Sequence, residues 1–90
     1  MGFHQTFKAL SDPTRRAILE RLKNGRLTAG EIASAFDLSA ATVSHHLAML
    51  RQADLVIDQR EGKHIYYEIN TSVIDEILTW VTSLREGDKT

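Results

Sequence analysis

Apolar residues recur along this chain at two intervals, and the change falls near residue 55. Before that point the interval is helical. Phe3, Phe7 and Leu10 stand at i, i+4 and i+7, which predicts a short helix over about residues 3–10. Asp12-Pro13 opens a second helix: Asp is a good N-cap, and Pro at the first helical position sacrifices no hydrogen bond. Ile18, Leu19 and Leu22 form its apolar stripe, and Asn24-Gly25 ends it. Thr28 and Glu31 have the spacing of a capping box ahead of a third helix carrying Ile32, Ala33 and Phe36. Asp37-Leu38 is a tight turn, and Ser39 caps a fourth helix running to about Ala53. Two short helices joined in this way make a helix-turn-helix over about residues 28–53.

After Leu55 the interval drops to two. Ile65, Tyr67 and Ile69 alternate with His64, Tyr66 and Glu68, the pattern of a half-buried strand. Residues 56–60 are its partner strand, and Gly62 in Glu61-Gly62-Lys63 supplies the positive φ of a hairpin turn. Asn70 or Thr71 then caps a last helix over about residues 72–84, and residues 85–90 are expected to fray. The expected fold is mainly α with one β-hairpin, in the order α-α-α-α-β-β-α: a winged helix-turn-helix forming one domain over residues 1–90, with its wing over about residues 56–69.

The fourth helix carries the most chemistry. Val43, Leu47 and Leu50 lie within about one-sixth of a turn of one another and define its buried face. The opposite face carries Ala41, His45, Ala48 and Gln52, flanked by Thr42 and Ser44. An ordinary solvated face is richer in Lys and Glu. Small residues let a helix sink into the major groove, where Ser, Thr, His and Gln bond base edges and Ala meets a thymine methyl. Ser39 and Thr42, at the helix N-terminus, suit phosphate. His46, beside the Val43 stripe, is expected to be half-buried and hydrogen-bonded rather than a base reader. Arg60, Lys63 and His64 gather basic groups on the wing, where they can follow the DNA backbone or enter the minor groove. Arg15 and Arg16 are expected to be surface charges.

The last helix has Val73, Ile74, Ile77, Leu78, Trp80, Val81 and Leu84 within one short stretch, a stripe wider than one small core needs. Phe3 and Phe7 are natural companions. A 90-residue domain buries only a modest share of its surface and gains from oligomerising. A homodimer is therefore expected, with dimerisation helices at about residues 3–10 and 72–84 and Phe3, Phe7, Val73, Ile77, Trp80, Val81 and Leu84 at the interface.

Composition narrows the function further. There is no cysteine, so disulfides, thiolate metal sites and thiol switches are excluded. No apolar run approaches the ~20 residues of a membrane span, and the N-terminus lacks the pattern of a signal peptide, so a cytoplasmic protein is expected. There is no Gly-rich phosphate loop, nucleophile elbow or paired-carboxylate site, so no enzymatic activity is expected. The net charge of −1 is unusual for a DNA-binding domain, but it is unevenly spread. Residues 1–67 carry nine Lys or Arg against seven Asp or Glu, a net of +2; residues 68–90 carry two against five, a net of −3. The acidic segment can face away from a polyanion.

The motifs together resemble the ArsR family of winged-helix repressors over nearly the whole chain. The resemblance rests on Phe7-Lys8-Ala9-Leu10-Ser11-Asp12-Pro13-Thr14-Arg15-Arg16, Leu27-Thr28-Ala29-Gly30-Glu31-Ile32-Ala33, Ser39-Ala40-Ala41-Thr42-Val43-Ser44-His45-His46-Leu47 and Gly62-Lys63-His64-Ile65-Tyr66-Tyr67. The first and third of these most resemble the sporulation-delay autorepressor branch. The resemblance implies a homodimeric repressor that binds a pseudo-palindromic operator, dimerises through its first and last helices, and lets go on receiving an input. The metal-sensing members carry cysteines near the third helix, where this chain reads Leu27-Thr28-Ala29-Gly30, or an Asp/His pair with a His/Glu pair on the last helix. Here that helix has Asp75 and Glu76 but no histidine. No metal or cofactor is expected. Two other readings stay open: a metal-responsive repressor with an unusual His/carboxylate site, and a winged helix that binds a protein partner instead of DNA. The operator, the regulated genes and any inducer or further partner are not encoded in these motifs.

Overall fold

The computed structural model describes residues 3–86 and contains five helices and three strands. In chain order they are α1 (His4–Leu10), α2 (Pro13–Leu22), β1 (Leu27–Thr28), α3 (Ala29–Phe36), α4 (Ala40–Gln52), β2 (Val56–Glu61), β3 (His64–Ile69) and α5 (Thr71–Glu86).

Local chemistry fixes the helix ends. Asp12 accepts from the Arg15 amide at 3.0 Å with Pro13 at the first helical position. The Thr28–Glu31 capping box is reciprocal, at 3.1 and 2.9 Å. Asp37 ends α3 in the left-handed region (φ 53°), and Ser39 caps α4 two residues later. Asn70 accepts from the Ser72 amide to start α5, and its own side-chain amide donates to the Asp54 carbonyl.

The helix-turn-helix packs on the inner end of the sheet. Ile18, Ile32, Val43, Leu50, Leu55 and Val56 are fully buried, each contributing about 1.5–3 kcal/mol from its removal from water. The sheet is antiparallel in the order β1-β3-β2. The hairpin register pairs Val56 with Ile69 and Glu61 with His64, and the chain turns through Gly62 at φ 63°.

Three expectations need correction. The sheet has a third strand, because Leu27 and Thr28 pair with Tyr67 and Tyr66. Two residues carry no readable period, and Thr28 serves as both strand and helix cap. The last helix runs on through Arg85 and Glu86, which were expected to fray; the rest of the expected tail, residues 87–90, lies outside the described residues. Ile65, expected on the buried side of the strand, is 43% exposed because the hairpin tip projects beyond the helices. No described helix is long and apolar enough to cross a membrane.

Candidate nucleic-acid interface

At 100° per residue, the buried residues Val43, Leu47 and Leu50 turn the other side of α4 outward. Ala41, Thr42, Ser44, His45, Ala48 and Gln52 are all exposed, and so is the cap residue Ser39. The exposed face has two distinct flanks. Ser44 and Ala48 line, with Leu47, Arg51 and Tyr67, the concave groove between α4 and the sheet. On the other flank His46 is half-buried against α2, with its Nδ1 3.3 Å from Arg15 Nη1. At the N-terminus, the Ser39 hydroxyl accepts from the Thr42 amide at 3.1 Å and donates to the Thr42 hydroxyl at 2.9 Å. That bond orients both hydroxyls beside the free amides of the first turn, an arrangement suited to a phosphate oxygen.

The wing is oriented by two ion pairs. Arg51 on α4 meets Asp58 on β2 at 3.1 Å, so the sheet face bearing Asp58 is turned toward α4. The register puts Arg60 and its partner Ile65 on that same face. His64, paired with Glu61, lies on the opposite face, with its ring 6.2 Å from that of Tyr66. Arg26, just before β1, grips Glu61 with two hydrogen bonds of 2.9 Å and stacks 4.2 Å above the Tyr66 ring. The Arg26 contact holds Glu61 below its ordinary carboxylate pKa, and Glu61 raises that of Arg26. Among the described residues Arg60 and Lys63 make no ion pair. Of the wing residues predicted from sequence, Arg60 shares the side facing α4, Lys63 stands at the turn and His64 faces away.

The predicted dimerisation residues do not share one environment. Phe3, Phe7 and Trp80 form an aromatic cluster with ring centroids 5.7–5.9 Å apart, tying α1 to α5. Val73 and Ile77 are half-buried against their own chain's core. Trp80, Val81 and Leu84 stay exposed at 41, 47 and 63%, together with Phe7, Ile74 and Leu78. No residue of α5 is fully buried.

Of the two arginines expected at the surface, one differs. Arg15 is buried, and its guanidinium bonds the Ala9 and Lys8 carbonyls as well as His46. Arg16 is exposed, but it donates to the Leu10 carbonyl at 2.7 Å. A signal for Arg15 was present in the sequence: it stands three and seven residues before Ile18 and Leu22, on the apolar stripe of α2. Burial is the main cause that lowers the His46 pKa, opposed by Asp12 and reinforced by Arg15 and His45. Among the described residues no three His, Asp or Glu side chains converge on a common point where a metal ion could be held.

A family model described as a helix-turn-helix domain matches residues 10–59. The transcriptional repressor SdpR of Bacillus subtilis is 46% identical over 86 residues, covering 94% of this chain and 96% of its own length. The arsenic resistance transcriptional regulator ArsR1 of Pseudomonas putida is 37% identical across 90% of this chain, which spans 61% of that protein. A homodimeric winged helix-turn-helix DNA-binding domain from Mycobacterium bovis superimposes with a TM-score of 0.75 at 29% identity, covering 91% of this chain and 76% of its own. In sequence and in fold, this chain belongs to the ArsR family of winged helix-turn-helix transcriptional regulators.

Proposed function

We propose that this chain is a repressor that binds a pseudo-palindromic operator as a homodimer, reading bases through α4 and holding the backbone through the wing. The observation that carries this reading is the outer face of α4. Ala41, His45, Ala48 and Gln52 are exposed in one row with no Lys, Arg, Asp or Glu among them, and Arg60 and Lys63, which make no ion pair among the described residues, stand on the adjoining wing. A row of short side chains admits the helix to the major groove, and the hydrogen-bonding tips of His45 and Gln52 reach base edges. Ser44 and Ala48 follow the groove wall toward the wing, while Ser39 and Thr42 meet a phosphate at the helix N-terminus.

Dimerisation belongs to α1 and α5. The exposed residues Phe7, Leu78, Trp80, Val81 and Leu84, with Phe3 in the aromatic cluster, make an apolar surface that a second copy covers; Val73 and Ile77 back it from the core side. An isologous pair of this kind sets two recognition helices about 34 Å apart, one turn of DNA. The chain works in the cytoplasm, where its operator is. Release follows a fall in protein concentration or a partner that engages the α1–α5 surface, since thiol chemistry is absent from the sequence.

The test is selection of duplexes from random DNA by the purified protein, followed by gel-shift titration. Recovery of a two-fold symmetric sequence bound by two chains supports the reading. Failure to retard any duplex, with a folded dimer present, overturns it in favour of a winged helix that binds a protein.

A further inference from the structure

We propose that Arg15 and His46 are positioning residues which lock the recognition helix to the dimerisation helix and so set the half-site spacing that the dimer accepts. The inference rests on the DNA-binding reading above and concerns how its two halves are joined.

Arg15 is 8% exposed, too enclosed to reach a phosphate. A buried guanidinium must have its donors satisfied, and among the described residues Arg15 makes no ion pair. Its partners are dipoles. Nε donates to the Ala9 carbonyl at 2.8 Å and Nη2 to the Lys8 carbonyl at 3.2 Å, both at the C-terminal end of α1, where a cation is favoured. Nη1 donates to His46 Nδ1 at 3.3 Å. Arginine has no acceptor, so the imidazole must be neutral with its proton on Nε2. The three bonds leave one rigid planar fork, so the end of α1 and the flank of α4 are held in a single mutual placement.

The two helices have separate tasks. α1 carries Phe3 at its cap and Phe7, which pack on Trp80 of α5 at the apolar surface. α4 carries His45 on its outward face, directly beside His46. The Arg15 guanidinium therefore spans from the element tied to the dimer surface to the element that reads bases. A repressor that reads two half-sites must hold two α4 helices at a fixed separation, because a misplaced helix loses its base contacts while keeping phosphate attraction. Without the His46 acceptor, α4 keeps its apolar anchors Val43, Leu47 and Leu50 and gains freedom to rock on them.

The experiment uses the full chain and a duplex selected by the wild-type protein from random DNA, with versions in which one base pair is inserted or removed between the half-sites. The variants are His46→Leu, His46→Gln (which restores a carbonyl acceptor), Arg15→Lys and the double variant Arg15→Lys/His46→Leu. His46→Leu is expected to remain a folded dimer by thermal unfolding and sedimentation, and to bind random-sequence duplex within about twofold of wild type. Its affinity for the selected duplex should drop about tenfold, and its preference for the parent spacing over the altered ones should flatten. His46→Gln should recover both. Where two residues act through one bond, the double variant should lose no more than the worse single one. Retention of the spacing preference by His46→Leu, equal loss on all duplexes, or additive losses in the double variant would each overturn the proposal. A wild-type dimer that bound no duplex would overturn the functional reading as well, a result distinct from any of these.

Discussion

Arg51 Nη1 lies 3.1 Å from Asp58 Oδ2, and this pair joins the last turn of α4 to the first strand of the wing. Both side chains retain solvent access, at 58 and 35%. Screening by water limits such a pair to roughly 0–1 kcal/mol of stability. Its larger effect is electrostatic, since Asp58 neutralises a cation that stands at the edge of the α4 face proposed to read bases. Asp58→Asn should leave the melting temperature nearly unchanged. It should raise affinity for operator and random duplex alike and steepen the salt dependence by about one counterion, because Arg51 becomes free to meet a phosphate. Gel-shift titrations across a salt series check this; an unchanged slope would mean that Arg51 does not face the DNA.

The base-reading face should behave in the opposite way. His45→Ala or Ser44→Ala should cost about 1–3 kcal/mol on the selected operator and relax the preference at one position in each half-site, with little change on random DNA. Arg60 and Lys63 should weaken all duplexes similarly on replacement by Ala and flatten the salt slope. His64, which faces away from α4, should contribute less than either. Competition binding with single-base operator variants separates these roles. Equal losses on operator and random DNA from His45→Ala would remove it from the base-reading set.

Much of this architecture was legible in the sequence, for a physical reason. Caps and periods are local: Asp12-Pro13, the Thr28–Glu31 box, Ser39 and Gly62 each act on backbone within a few residues, so the four helices before the wing and the hairpin turn could be placed directly. What could not be read was long-range. Strand β1 exists because Leu27 and Thr28 meet Tyr67 and Tyr66 about 40 residues away, as required to complete a sheet edge. The Arg26–Glu61 clamp spans a similar separation. Arg15 shows an intermediate case. Its place on the apolar stripe of α2 was visible, but its partners at the end of α1 and on α4 appear only once three helices have packed.

Stability should depend on pH through His46. Burial holds its pKa below the ordinary imidazole value of about 6.5, so as pH falls an unfolded chain takes up this proton before the folded one does. The stabilising contribution of the neutral ring is complete above about pH 6.5 and is lost as pH drops through the folded value, where the proton would also displace the Arg15 bond. Asp12, whose pKa is lowered by the Arg15 amide, acts in a separate, more acidic window below its ordinary value. Melting temperature should therefore fall on acidification from about pH 7.5 to 5.5, and His46→Gln should remove part of that slope. Identical slopes in the two proteins would place the sensitivity elsewhere.

The α1–α5 surface should be where two chains meet. Leu78 and Leu84 are each 63% exposed, Val81 is 47% exposed, and Trp80 is held in place by Phe3 and Phe7, so the surface is pre-shaped rather than loose. Charge on it should be costly only when a partner covers it. Leu84→Glu, alone or with Leu78→Glu, should leave the monomer core of Ile18, Ile32 and Leu50 untouched while splitting the dimer, because burial of an unpaired carboxylate at the interface is strongly unfavourable. Operator affinity should then fall by several orders of magnitude, since a single chain brings only one α4 helix to one half-site, while binding to random duplex declines far less. Sedimentation of the wild-type chain at micromolar concentration should give the mass of two chains, and the variant the mass of one. A wild-type monomer that still selected a two-fold symmetric operator would show that DNA, and not this surface, brings the two copies together.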